Sequence, residues 1–175
     1  SVYSMILPPE LRFLPLFGAP PEFVRSTMWD LIPFGLLSIV LVLVGILYIK
    51  VFYGTHRLFE KLPVKKHFRP AIGAGIAGLL AMSLYYGFAE NIQLLAVLST
   101  GYGVLQAALS DSVSVAPVVL ITVAIFKIIT TSLTISSGGS GGVFGPSMVI
   151  GGCVGGAVGQ LFAKYGPDWW TVQPE

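Results

Sequence analysis

Eleven consecutive residues, Ser136-Ser137-Gly138-Gly139-Ser140-Gly141-Gly142-Val143-Phe144-Gly145-Pro146, form the stretch best suited to chemistry in this sequence, yet none of them carries a charge. Their chemistry is that of the backbone. A helix start leaves about four N–H groups without intrahelical partners, and the aligned peptide dipoles add roughly half a positive charge there. An anion is the natural acceptor for such an end. Glycine lets the chain turn and come close to a ligand, and Pro146 costs little in the first turn of a helix. Amides also hold an anion without a full opposite charge, weakly enough for it to leave again. Gly142, Val143, Phe144 and Gly145 are therefore candidate anion-binding residues through their backbone amides, with Gly141 and Pro146 shaping the motif.

Other readings fit the same residues less well. A flexible Gly/Ser linker seldom lies between strongly apolar segments. A phosphate-binding loop needs a Lys followed by Ser or Thr after its second glycine, and that pair does not occur here. A packing role suits the next five glycines better: Gly151, Gly155 and Gly159, and separately Gly152 and Gly156, recur every four residues and would let another helix approach closely.

The elements that must position the loop are set by composition. Of the 175 residues, 54% are hydrophobic and only 10% charged, and the mean hydropathy is +0.83. A soluble domain carries about 25% charged residues, so the solvent here is lipid. A net charge of +2 without aromatic and basic residues interleaved excludes nucleic acid as a partner. The single cysteine, Cys153, excludes an intrachain disulfide and a cysteine-cluster metal site, and reads as a buried packing residue. His56 and His67 offer no metal geometry, so no metal, cofactor or catalytic residue is expected.

Residues 1–30 contain five prolines and read as the end of a helix followed by a Pro-rich loop, consistent with a piece of a longer chain. No charge occurs from Leu31 to Ile49, which gives a spanning helix continuing as an amphipathic end over 31–60. Six of the ten Lys and Arg residues lie between Lys50 and Arg69, so the loop 61–69 is expected on the cytoplasmic side. A second helix is expected over 70–89, with small residues at four-residue spacing: Gly73 with Ala77, Ala74 with Gly78, then Ala81. Residues 91–110, broken by Gly101 and Gly103, suit a short re-entrant helix. A polar break around Asp111, read as a helix cap, precedes a helix over 114–135.

No charge then appears between Lys127 and Lys164, a stretch too glycine-rich at 136–143 to be one helix. The parse is a loop at membrane depth over 136–143 and a new helix over 144–165. Non-helical backbone at that depth is tolerated only where protein buries it or where it lines a wet cavity. Lys127 itself, in mid-helix, either adds positive potential to an anion route or snorkels or pairs structurally; the structural role is favoured. Trp169 and Trp170 suit an interfacial anchor beyond the last helix.

The run from Ser136 to Pro146 resembles the GxFxP signature of the CLC family of voltage-gated chloride channels and chloride/proton antiporters. Lys127-Ile128-Ile129-Thr130-Thr131-Ser132-Leu133-Thr134 is similar to the helix before that motif, and Gly101-Tyr102-Gly103-Val104-Leu105-Gln106 to a phrase common in prokaryotic members. The resemblance implies an all-α integral membrane fold with tilted, re-entrant and broken helices, and a homodimer with one anion pathway per subunit. It places the amides of Val143 and Phe144 at the central anion and Gly145 near an outer site. The family's GSGxP segment, its G(K/R)EGP segment with the gating glutamate and its late tyrosine do not occur among these residues, so the chain is expected to hold about the middle third of a transport domain. The function implied is passive or proton-coupled transport of chloride or a similar small anion in the cell membrane, with membrane lipid as the other partner. The alternative is a non-transporting membrane segment or scaffold acting through helix packing.

Overall fold

The computed structural model describes residues 31–88, 92–109 and 115–165. The Pro-rich segment 1–30, Glu90, the polar break around Asp111 and the Trp169–Trp170 pair lie outside these residues. The described residues are helical, without strands: α1 (Leu31–Lys61), α2 (Arg69–Gly87), α3 (Tyr102–Leu109), α4 (Pro117–Ser136) and α5 (Phe144–Tyr165), with 3-10 turns at Lys66–Phe68 and Ile92–Val97. Four helical stretches are long and apolar enough to cross a membrane: Leu31–Lys61, Lys66–Gly87, Pro117–Ser136 and Phe144–Phe162.

Helix α4 is the centre. It packs against α1, α2, α5 and the 3-10 turn Ile92–Val97, and α3 packs on α5 and shares a core with α4 and α5. Of its most apolar window, 61% is buried within the chain, against none of the corresponding window of α1. The order of hydropathy is the reverse, 2.7 for α1 and 2.2 for α4. In lipid an apolar helix has no need of protein cover, whereas a helix bearing Lys127, Thr130, Thr131, Ser132 and Ser136 must be surrounded by groups that satisfy them.

Local sequence sets the ends of α4. Pro117 begins it, and the preceding Ala116 is extended (φ −55°, ψ 138°), as a residue before proline tends to be. This is why the helix starts at 117 rather than at 114. At the other end the Gly138 N–H donates to the Ile135 carbonyl and the Gly139 N–H to the Thr134 carbonyl, both at 3.0 Å. With Gly138 at φ +96°, this is a Schellman ending, in which a left-handed residue reverses the chain and satisfies the last carbonyls.

Between 91 and 110 the chain forms two pieces, the 3-10 turn and α3, separated by Gly101 at φ +79°. A side chain at Gly101 would be strained by that angle and would meet Val149 Cγ1 at 2.9 Å. On α2 the stripe Gly73, Ala77, Ala81 is buried and faces α4. A Cβ on Gly73 would lie 2.8 Å from the Leu133 carbonyl oxygen. The parallel stripe through Ala74 and Gly78 is not used in this way: Ala74 is exposed, and a Cβ on Gly78 would meet nothing within 4 Å among the described residues.

Candidate anion site

The glycine-rich stretch divides into parts with different work. Gly138 and Gly139 terminate α4, as shown above. From Ser140 the chain runs without regular structure to Phe144, where α5 begins. The Ser147 N–H donates to the Val143 carbonyl at 3.0 Å and the Ser147 hydroxyl to the same oxygen at 2.7 Å. This is the first helical hydrogen bond of α5, so the N–H groups of Val143, Phe144 and Gly145 precede it, and Pro146 has none. None of the three donates to an acceptor among the described residues. They lie at an open surface, with Val143 49% and Phe144 76% exposed.

Two tyrosines flank this helix start. The hydroxyl of Tyr102, at the beginning of α3, lies 3.3 Å from where a Cβ on Gly145 would be. Any larger residue at 145 would press on it. Tyr48 reaches from α1 toward Ser147, but Ser147 bonds Val143 instead, and the Tyr48 hydroxyl is the buried side-chain polar atom left without a partner among the described residues. Tyr102 falls in the Gly101–Gln106 phrase that carries part of the family resemblance, whereas Tyr48 has no such signal in the sequence.

Behind the loop lies a cavity of about 170 Å³, walled by Lys127, Thr130, Thr131 and Thr134 of α4, Ala77 of α2, Ser99, and Gly141, Gly142 and Pro146. Lys127 is only 4% exposed. Its ammonium donates to the carbonyls of Ala96 at 3.1 Å and Val97 at 3.2 Å, and to that of Ser99. Thr130 Oγ1 donates to Val97 as well, at 3.0 Å. An ammonium has three donors, and all three are engaged. Lys127 therefore caps the carbonyl end of the turn Ile92–Val97, where the backbone dipole favours a cation, and holds no donor for a passing ion. Its place is structural.

A model of the voltage gated chloride channel family matches residues 9–174. The chain belongs to that family. No curated protein and no solved structure matches it. Members of that family are chloride channels and transporters, and four helical stretches of this chain are long and apolar enough to cross a membrane. The stretch Gly142 to Pro146 stands at the start of α5, with Gly142, Val143 and Phe144 exposed and Gly145 against Tyr102. Gly141 lies beside Ile135 and the cavity. Of the glycines beyond the motif, Gly152 is in tight contact with Leu105 of α3, so that a Cβ there would collide with Leu105 Cδ1. Gly151, Gly155 and Gly159 meet nothing within 4 Å among the described residues. Gly156 lies half-buried on the same helix. Cys153 is fully buried in the core shared by α3, α4 and α5.

Proposed function

We propose that the amides of Val143, Phe144 and Gly145 form one wall of a chloride-type anion pathway, holding the dehydrated ion at the start of α5. The observation that carries this reading is three adjacent N–H groups without acceptors at a helix start, in a chain of an anion-transport family. Gly142 lets the backbone approach the ion, and Pro146 starts the helix without adding a further donor. The pathway is passive or proton-coupled, sits in the cell membrane of a homodimeric protein bounded by lipid, and is oriented with the basic loop 61–69 inside. The other walls would come from the family's remaining motif segments. Scaffolding through glycine faces draws less support, because the tight contacts at Gly73 and Gly152 are made inside the chain.

The test is halide efflux from liposomes containing the protein. Proline is tolerated as the first residue of a helix and deletes only an N–H there. Phe144→Pro should therefore lower flux by about tenfold, the loss of one hydrogen bond to a charged partner. Phe144→Ala keeps the amide and should stay within about twofold of wild type on the same argument. Unchanged flux in Phe144→Pro would take the amide out of the pathway.

A further inference from the structure

At the end of α4 remote from Pro117, a second cavity of about 450 Å³ opens beneath the basic loop. Lys66, His67 and Arg69 line one side, Ser136, Ser137 and Gly138 the floor, and His56 and Glu60 the rim. Arg69 does not move freely: its Nε–H donates to the Val64 carbonyl at 3.3 Å and an Nη–H to that of Leu62 at 3.5 Å. These bonds pin the loop that presents Lys66 and His67. Arg69 is also the first residue of α2, whose preceding Phe68 makes no side-chain cap, so the positive end of that helix opens on the same space.

The opposing terms are small. Glu60 is the carboxylate of the rim, and it lies 3.6 Å from His56. The carbonyl end of α4 also faces the cavity, but the Leu133, Thr134 and Ile135 carbonyls already accept from Ser137, Gly139 and Gly138. What remains is a recess with two permanent cations, two imidazoles, a helix start and one carboxylate.

We propose that this recess binds the phosphate of an anionic lipid headgroup. A phosphate presents several acceptor oxygens to the lysine, the imidazoles and the guanidinium at once. Its carrier follows from position. The recess lies where the apolar spans of α1 and α2 meet the basic loop, and Phe68, 61% exposed, adjoins its lining residues His67 and Arg69 in the chain, an apolar side chain suited to contact with acyl chains. Basic pockets between spanning helices are suited to such headgroups. The orientation proposed above enters only in assigning the lipid to the inner leaflet, and the site is independent of the anion pathway.

The experiment is native mass spectrometry of the protein released from nanodiscs of phosphatidylcholine with phosphatidic acid, counting retained lipid. Lys66 is exposed and holds no hydrogen bond or ion pair among the described residues, so its replacement spares the fold. Lys66→Gln should weaken phosphatidic acid retention about fivefold, and Glu60→Gln should strengthen it. Lys65, which does not line the recess, supplies the control. Equal retention by wild type and Lys66→Gln overturns the site, and so does an equal loss from Lys65→Gln, which would mark a diffuse basic surface. Displacement of the lipid by millimolar inorganic phosphate would reveal a soluble phosphate site and overturn the lipid assignment. Retention is read without flux, so its failure leaves the reading of the anion pathway untouched.

Discussion

The residue with the most to lose in this protein is Lys127. A charge at the centre of a spanning helix costs about 2.5–3.5 kcal/mol on insertion scales, so it persists only with partners. Its partners are three backbone carbonyls, those of Ala96, Val97 and Ser99. Lys127→Met keeps the length of the side chain and takes that donor from the Ala96 and Ser99 carbonyls, while the Val97 carbonyl keeps Thr130 Oγ1. Denaturant unfolding in detergent should show a loss of about 2–4 kcal/mol, the scale of buried acceptors stranded by removal of a charged donor. A loss below about 0.5 kcal/mol would mean the carbonyls have other acceptable partners. The position of the lysine is legible in the sequence and its partners are not. They lie about thirty residues upstream, in and just after the 3-10 turn Ile92–Val97, and carbonyls leave no trace in residue type.

Between elements, small residues decide how near two helices come. The sequence offers two equivalent stripes on α2, through Gly73 and through Ala74, and periodicity cannot choose between them. The choice is made by α4, whose Leu133 carbonyl and Ser137 side chain fill the space over Gly73. Gly73→Ala should therefore destabilise the protein by about 1–3 kcal/mol through overpacking, whereas Gly78→Ala should be neutral or stabilise by up to about 1 kcal/mol through helix propensity. Equal effects of the two in an unfolding titration would contradict the packing of α2 on α4. The same logic separates Gly152, pressed against Leu105, from Gly151, Gly155 and Gly159 on α5. Spacing identifies a helix able to pack closely; only the neighbouring helix identifies the glycines that do so.

Across the molecule, the sequence shows spanning helices well and their arrangement poorly. Uncharged runs and the Ser136–Pro146 stretch mark the membrane class and the loop between α4 and α5. Hydropathy, read by itself, would put α1 at the centre, since it is the most apolar helix. It lies outside instead, because lipid accepts an apolar surface and rejects the hydroxyls and ammonium of α4. The orientation proposed from the basic loop predicts that Lys65→Cys reacts with a membrane-impermeant maleimide from the cytoplasmic side of sealed vesicles. Reaction from the outer side alone would invert the topology.

The central claim is that a small anion meets the backbone at the start of α5. Bromide replaces chloride in chemistry and scatters X-rays anomalously, so crystals of the protein soaked in bromide test it directly. An anomalous peak should lie within about 3.5 Å of the Val143, Phe144 or Gly145 nitrogens, at the outer limit of a hydrogen bond, and should weaken in Phe144→Pro. Bromide bound elsewhere in the protein, with no density at that helix start, would contradict the account.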